Sequence, residues 1–163
     1  YAGAMGWPQF ISSSYRHYAV DFNGDGRRDL WNDPVDAIGS VANYFKRHGW
    51  RPGEEVIVRA RLDEQVRGLS DLAVERGRKG LKPVMNLETF SQKGVYSVDE
   101  VPADQRAVLI KLQGDAGDEY WLGLQNFYVI TRYNHSAMYA MAVYQLGQEV
   151  HRAYQSQVMA NKK

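Results

Sequence analysis

Apolar residues recur at helical spacing between positions 35 and 45, with polar residues between them. This stripe, which we expect to face a core, consists of Val35, Ile38, Val41, Ala42 and Phe45. Asp33 can cap the helix, Pro34 fits its first position, and Gly49 fits its stop. The pattern therefore predicts a helix that begins at Pro34 and ends shortly before Gly49.

The pattern changes after residue 50, where alternation replaces helical spacing. The predicted elements are a strand over Glu55–Leu62, a short helix over Ser70–Glu75, and short strands over Thr89–Phe90 and Val95–Val98. The turn formers Pro52 and Pro102 bracket this part. We interpret residues 51–106 as a small β-rich insert.

The last part of the chain returns to longer elements. It begins with a predicted hairpin, in which Ala107–Gln113 and Glu119–Leu122 flank the turn Gly114–Asp118. Asn126–Arg132 is either helical or irregular, and a long helix follows from about Ser136 to Gln157. Its apolar stripe is Tyr139, Ala142, Val143, Leu146 and Val150. The chain thus divides into residues 1–50, 51–106 and 107–163, and its class is α+β, mainly α.

Composition excludes several functions. The net charge of +1 gives no argument for nucleic acid, and the basic run from Arg76 to Lys82 is typical of a solvated surface. The absence of cysteine removes disulfides, thiol nucleophiles and thiolate metal sites. Eleven tyrosines suit sugar-binding grooves as well as cores. The opening stretch YAGAMGWPQF suits a buried segment, so we expect the chain to start within a domain.

The acidic stretch after residue 20 matches the first half of an EF-hand calcium loop. Asp21, Asn23 and Asp25 occupy the alternate ligand positions, and Gly26 occupies the position of the sharp turn. The next position, Arg27, would donate its backbone carbonyl. Leu30 would pin the loop to the core. A hard cation takes six to eight oxygens, which explains why alternate residues carry them.

The second half of the loop does not end as an EF-hand does. Position 12 should be a glutamate, but it is Asn32. Asp36 is the best candidate for the closing carboxylate, with Asp29 and Asp33 as alternatives. Asp36 could instead serve as a capping-box carboxylate that answers Asp33. A solvent-exposed turn without metal remains the alternative for the whole loop.

The residues around this loop resemble the lytic murein transglycosylase B family. The similar blocks are GAMGWPQF (Gly3–Phe10), YAVDFNGDG (Tyr18–Gly26), DPVDAIGSVANYFKRHGW (Asp33–Trp50) and NFYVITRYNHSAMYAMAVYQLGQ (Asn126–Gln148). The insert between residues 51 and 106 is less similar. Compared with the family's usual W-D-P-V-D, Asn32 is an insertion that lengthens the loop by one residue, and Ile11-Ser12 replaces the usual Met-Pro.

The resemblance implies a fold and an activity. The fold would be a lysozyme-like core with an EF-hand-like loop and a small β-rich insert. The activity would be cleavage of the β-1,4 bond between N-acetylmuramic acid and N-acetylglucosamine in peptidoglycan, without water, which leaves a 1,6-anhydromuramoyl end. It further implies a periplasmic location, glycan strands as partner, and cell-wall synthesis proteins as further partners. The resemblance also implies structural Ca²⁺ bound by Asp21, Asn23, Asp25, the Arg27 carbonyl and Asp36.

One element of the family is missing from this sequence. The family's catalytic glutamate lies in an E-S-x-x-G-R block before the G-A-M-G segment, and this chain has no such block. The glutamates without that context are Glu54, Glu55, Glu64, Glu75, Glu88, Glu100, Glu119 and Glu149. We therefore assign no catalytic residue, and expect this chain to be the C-terminal part of a catalytic unit that is inactive alone.

The resemblance places five residues along a glycan groove, and four of them also have a plainer interpretation. The five are Gln9, Tyr44, Tyr133, Asn134 and Tyr139. Gln9 could be a hydrogen-bonded loop residue and Tyr44 a half-buried packing residue. Asn134 could cap the long helix, and the spacing alone places Tyr139 in the core.

Two further hypotheses stay open at the level of the whole protein. One is a calcium-stabilised, non-catalytic module that binds the cell wall or docks proteins. The other is an EF-hand-like calcium protein unrelated to glycan, although such a protein would not need the blocks that flank the loop.

Overall fold

The computed structural model describes residues 3–66, 73–74 and 81–160. The chain divides after Arg51 into two compact units, which are described separately. The prediction of three parts, with boundaries at residues 50/51 and 106/107, stays a prediction. Strands from residues 51–106 and from residues 107–163 belong to one sheet of the second unit.

The first unit consists of a tight turn, two helices and the acidic loop between them. A bridge between Met5 and Phe10 closes the turn, and α1 spans Ser12–Tyr18. The second helix, α2, spans Pro34–Arg47, which confirms the prediction. Asp33 caps it as expected, because its carboxylate accepts hydrogen bonds from the Val35 and Asp36 amides.

The buried face of α2 is not the predicted one. Val35, Ile38 and Ala42 are exposed, whereas Val41 and Phe45 are half-buried. The buried residues of this helix are Asp36, Ala37, Gly39, Ser40 and Tyr44. Polar anchors explain this choice, since the Asp36 carboxylate and the Ser40 hydroxyl accept backbone hydrogen bonds from the segment that precedes the helix. The helix turns these residues inward because buried amides need acceptors.

The second unit is built on a sheet to which six described strands contribute. The strands are β1 Ile57–Leu62, β2 Ala73–Val74, β3 Met85–Asn86, β4 Val95–Ser97, β5 Arg106–Gly114 and β6 Gly117–Gly123. Their order is β2-β5-β6-β1-β4, with β3 paired to β5, and every pair except β2 with β5 is antiparallel. The predicted hairpin is confirmed, because β5 and β6 pair from Val108–Gly123 to Gly114–Gly117.

Two predictions within residues 51–106 differ from the structure. Thr89–Phe90, predicted as strand, lies in α3, which spans Leu87–Gln92. Asn86 caps this helix by accepting the Thr89 amide at 2.9 Å, so a local cap outweighs the strand preference of Thr and Phe. Of the predicted helix Ser70–Glu75, only Ala73–Val74 lies among the described residues, and it is strand.

One face of the sheet packs on α3 and the other on α4, which spans Gln125–Tyr133. Towards α3 lies a buried cluster of Val58, Leu87, Phe90, Val95, Ala107, Leu109, Leu122 and Leu124. On the opposite face, Phe127 of α4 lies against Gly123, beside Val108 and Ile110. The core of this unit therefore lies on both sides of β5 and β6.

The long helix α5 spans Ala137–Ala160, which confirms its existence but not its predicted buried stripe. Its buried residues are Ala137, Ala140 and Met141. Leu146 and Val150 lie further along the helix and are exposed. No described helix, α5 included, has both the length and the apolar character that crossing a membrane requires.

Candidate functional site

The acidic loop folds around its own carboxylates. The two oxygens of Asp21 accept the amides of Gly24, Asp25 and Gly26 at 2.7, 3.1 and 2.8 Å. The side-chain oxygen of Asn23 accepts the Asp25 amide, and the Asp25 carboxylate accepts the Arg27 amide at 2.9 Å. These bonds give the loop the tight curvature that brings alternate side chains to one side.

Asp36 ties the two ends of the loop to α2. Its carboxylate is fully buried, and accepts the Phe22 amide at 2.7 Å and the Asp29 amide at 2.9 Å. Asp36 does not act as the capping-box partner that the sequence left open, because its oxygens accept the Phe22 and Asp29 amides and not the amide of Asp33. Asp36 thus lies where a closing ligand is needed.

Three carboxylates of the loop converge. Oxygens of Asp21, Asp25 and Asp36 lie within 4.8 Å of one another. Like charges at this distance repel one another unless a cation lies between them, and carboxylate oxygens are the ligands that calcium prefers. The side-chain amide nitrogen of Asn23 donates a hydrogen bond to the Asp33 carboxylate at 2.6 Å. Its side-chain oxygen is directed to the interior of the loop, where it accepts the Asp25 amide. The donor set fits a hard divalent cation.

Backbone hydrogen bonds lower the pKa values of two loop carboxyls below their ordinary value of 3.8. For Asp36 the Phe22 amide is the largest cause, opposed by burial. For Asp29 the amides of Asn32 and Trp31 are the largest causes. Both carboxylates are therefore more easily kept ionised in the folded chain than in the unfolded one.

We expect acid to destabilise the first unit in part through these two groups. A lowered folded pKa contributes stability that is nearly complete above about pH 4.5 and is lost as the pH falls through the folded pKa. The thermal midpoint, measured by circular dichroism in chelator, should stay flat from neutral pH to about pH 4.5 and fall below that. Asp36→Asn should make the acid limb shallower, whereas a midpoint already falling at pH 6 would contradict this assignment.

Gln9 lies in the closed turn and has a strained backbone. Its φ of 53° is in the left-handed region, which residues other than glycine rarely occupy. Its side-chain amide donates to the Gly6 carbonyl at 2.8 Å, and the residue is exposed. The plainer interpretation, a hydrogen-bonded loop glutamine, therefore holds for the side-chain nitrogen of Gln9. The side chain is nevertheless exposed and accessible to a ligand. Strain of this kind is often found at functional sites.

Tyr44 lies in an aromatic cluster of the first unit. Its ring stacks on His48 with centroids 4.0 Å apart, and lies 4.7 Å from Tyr18 and 6.0 Å from Phe10. It is buried, which agrees with the packing role that the sequence left open. Its predicted contact with glycan stays a prediction.

The other three predicted residues lie in the second unit, at the junction of α4 and α5. Tyr133 is the last residue of α4, and the exposed Asn134 follows it. Asn134 does not cap α5 directly, since Ser136 Oγ accepts the Tyr139 amide there while Asn134 accepts the Ser136 amide. Tyr139 is 37% exposed and therefore not a core residue. The three are neighbours at one end of α5.

Sequence reasoning missed how the turn and the loop meet. The Trp7 amide donates to the Leu30 carbonyl at 2.8 Å, and Gly6 lies directly on the Leu30 backbone. Leu30 is fully buried, as its place in the loop predicted. The only signal for the contact was the recurrence of glycine in GAMG, which does not reveal the partner.

Comparison with known proteins gives a consistent result. The family model described as transglycosylase SLT domain matches residues 1–148. The membrane-bound lytic murein transglycosylase B of Escherichia coli (strain K12) is 51% identical over 150 residues, which cover 92% of this chain and 38% of that protein.

Solved structures are similar as well. The soluble lytic transglycosylase SltB1 from Pseudomonas aeruginosa superposes with a TM-score of 0.83 at 49% identity, over 94% of this chain and 49% of that one. The Escherichia coli lytic transglycosylase Slt35 in complex with calcium gives 0.79 at 50%, over 93% and 45%. SltB3 from Pseudomonas aeruginosa in complex with NAG-NAM-pentapeptide gives 0.70 at 38%, over 87% and 37%. The chain spans less than half the length of each relative.

Proposed function

Since the chain belongs to the transglycosylase SLT domain family, we propose that it serves in a lytic transglycosylase acting on bacterial peptidoglycan. The observation that carries this proposal is the match over residues 1–148, which includes the acidic loop, the turn of Gln9 and the junction of α4 and α5. Because the substrate lies in the cell envelope, we place the protein in the periplasm.

The proposed reaction cleaves the β-1,4 bond between N-acetylmuramic acid and N-acetylglucosamine. A glutamic acid protonates the glycosidic oxygen and then removes the proton of the muramoyl 6-hydroxyl, which closes the 1,6-anhydro ring. One residue thus fulfils both roles, unlike the carboxylate pair of ordinary glycosidases. This chain contributes binding and orientation of the glycan, and the E-S-x-x-G-R glutamate would have to come from elsewhere.

We test the function with purified sacculi. The 163-residue chain should pellet with the sacculi and release no anhydromuropeptides, as measured by mass spectrometry of the supernatant. Failure to pellet would contradict a glycan-binding role. Released anhydromuropeptides would show that the chain alone is active and would overturn its assignment as catalytically incomplete. Binding without cleavage, even when a segment with the E-S-x-x-G-R glutamate is supplied, would favour the alternative, a non-catalytic module that binds the wall or docks proteins. The partners proposed for such a module are cell-wall synthesis proteins.

Glycan binding is assigned to Gln9, Tyr44, Tyr133, Asn134 and Tyr139. The assignment is best supported for Gln9, Asn134 and Tyr139, because their side chains are exposed and accessible to a glycan. The ring of Tyr139 offers a flat apolar face and a polar tip, which suit a sugar ring. SltB3, to which this chain is similar, is described in complex with NAG-NAM-pentapeptide, and this supports a glycan ligand here.

Replacing Tyr139 with alanine should weaken glycan binding by about tenfold, because one aromatic contact contributes about 1.4 kcal/mol. The measurement is isothermal titration with a soluble N-acetylglucosamine oligomer. Tyr154→Ala is the matched control, since Tyr154 lies on the same helix, is 63% exposed and falls outside the matched residues. Equal losses in both variants would contradict a specific role for Tyr139.

The loop is proposed as an EF-hand-like structural calcium site. The ligands would be the side-chain oxygens of Asp21, Asn23, Asp25 and Asp36 with the Arg27 carbonyl. The convergence of Asp21, Asp25 and Asp36 supports this set, and the similarity to Slt35, described in complex with calcium, supports the identity of the ion. The ion would neutralise the carboxylates and fix the loop against α2, and it would take no part in the chemistry.

A further inference from the structure

The acidic loop and the turn of Gln9 are joined by one short connection within the first unit. Asp36 accepts the Asp29 amide, and the next residue, Leu30, accepts the Trp7 amide through its carbonyl. Trp7 follows Gly6, whose carbonyl oxygen accepts both the backbone amide and the side-chain amide of Gln9. A continuous path of hydrogen bonds and peptide units therefore runs from the carboxylate cluster to Gln9.

Gly6 and the backbone of Leu30 are in tight van der Waals contact, with no room for a side chain at position 6. Gly6 has a φ of 60°, and a methyl group added there would overlap the Leu30 carbonyl oxygen and lie 2.8 Å from its carbonyl carbon and Cβ. Leu30 cannot move away freely, because its side chain is fully buried. Any shift of the loop at Leu30 must therefore move the turn.

We propose that Gly6 and Leu30 are positioning residues that transmit cation occupancy of the acidic loop to the turn carrying Gln9. Without a cation, repulsion among Asp21, Asp25 and Asp36 opposes the geometry that Asp36 imposes on Asp29 and Leu30. With a cation, the loop is rigid, Leu30 is fixed, and the turn is held in its strained conformation. The inference rests on the proposed calcium site and, for its consequence, on the proposed glycan contact of Gln9.

The primary test needs no variant. Amide hydrogen exchange of the wild-type chain is followed by nuclear magnetic resonance, in chelator and with excess Ca²⁺. Exchange of the Trp7 amide should slow about tenfold or more with Ca²⁺, since this amide opens only when the turn leaves Leu30. The Leu109 amide, in β5 of the second unit, should not respond. An unchanged Trp7 amide overturns the inference, whether or not Ca²⁺ protects the Asp29 amide.

Two glycine variants sharpen the test. Gly6→Ala should keep Ca²⁺ binding within about threefold by titration but lose the response of the turn amides. Gly3→Ala is the matched control, because Gly3 has nearly the same φ, 65°, with nothing within 4 Å of the added methyl group. Gly3→Ala should therefore keep the response. A response retained in Gly6→Ala would overturn the role of this contact.

Glycan titrations separate this inference from the function on which it rests. We expect the affinity for an N-acetylglucosamine oligomer to rise with Ca²⁺ in the wild type and in Gly3→Ala, but not in Gly6→Ala. A Trp7 amide that responds to Ca²⁺ in a chain that binds no oligomer would uphold the coupling and contradict the glycan role. Oligomer binding of equal affinity with and without Ca²⁺, with an unresponsive Trp7 amide, would uphold the glycan role and overturn the coupling.

Discussion

Asp36→Asn should weaken calcium binding by about 100-fold or more, because it removes a full negative charge from a buried ligand position. The substitution also sets an amide against the Phe22 and Asp29 amides, one of which then loses its acceptor. The calcium-free variant should therefore unfold at a lower temperature than the calcium-free wild type. Titration calorimetry gives the affinity, and circular dichroism gives the thermal midpoint.

Asp29→Asn is the matched control for that substitution. Asp29 is four residues beyond Asp25 and was an alternative closing ligand, but its carboxylate accepts the Trp31 and Asn32 amides and does not belong to the converging cluster. Its calcium affinity should stay within about threefold of the wild type. A large loss in Asp29→Asn with a small loss in Asp36→Asn would show that Asp29 closes the loop. In the wild type, a chelator should lower the midpoint that Ca²⁺ raises.

Phe127→Ala should destabilise the second unit by about 3–5 kcal/mol, the usual cost of removing a fully buried phenylalanine. Phe127 is 0% exposed and fills the space beside Gly123, where Val108 and Ile110 also converge. The surrounding strand β5 is paired on both sides and cannot collapse into the cavity. Urea unfolding, with exchange of the most protected β5 amides as a local measure, gives the change in free energy.

Phe22→Ala serves as the control for side-chain size. Phe22 is 67% exposed, although its side chain lies against Gly39 of α2, so its truncation should lower the free energy of unfolding by less than about 1 kcal/mol. A loss below about 1 kcal/mol in Phe127→Ala would contradict the assignment of Phe127 to the core of the second unit.

The two units carry different candidate features, each described within its own unit. In the first unit, carboxylates, a buried leucine and a strained turn are connected by hydrogen bonds and peptide units. The second supplies exposed side chains at the start of α5, carried on a sheet with a core on both faces. We therefore expect calcium to act on glycan binding through Gln9 and to leave the folding of the second unit unchanged.

The sequence by itself determined the elements that depend on neighbouring residues. Asp33 and Pro34 specify the start of α2, because a cap and a fixed φ act on the first turn alone. The turn Gly114–Asp118 specifies the β5–β6 hairpin. The alternate oxygens of Asp21, Asn23 and Asp25 specify the curvature of the loop, since each bonds to amides two to five residues away.

Only the tertiary structure decided which faces are buried. The apolar stripe of α2 predicted Ile38 inside, yet Asp36 and Ser40 are buried, because amides distant in sequence require their oxygens. The strand prediction at Thr89–Phe90 failed for a different, local reason, because the cap at Asn86 outweighs the weak strand preference of Thr and Phe. The contact of Gly6 with Leu30 was equally hidden from the sequence: it joins residues 24 positions apart, and steric fit between distant backbones leaves no periodic signal along the chain.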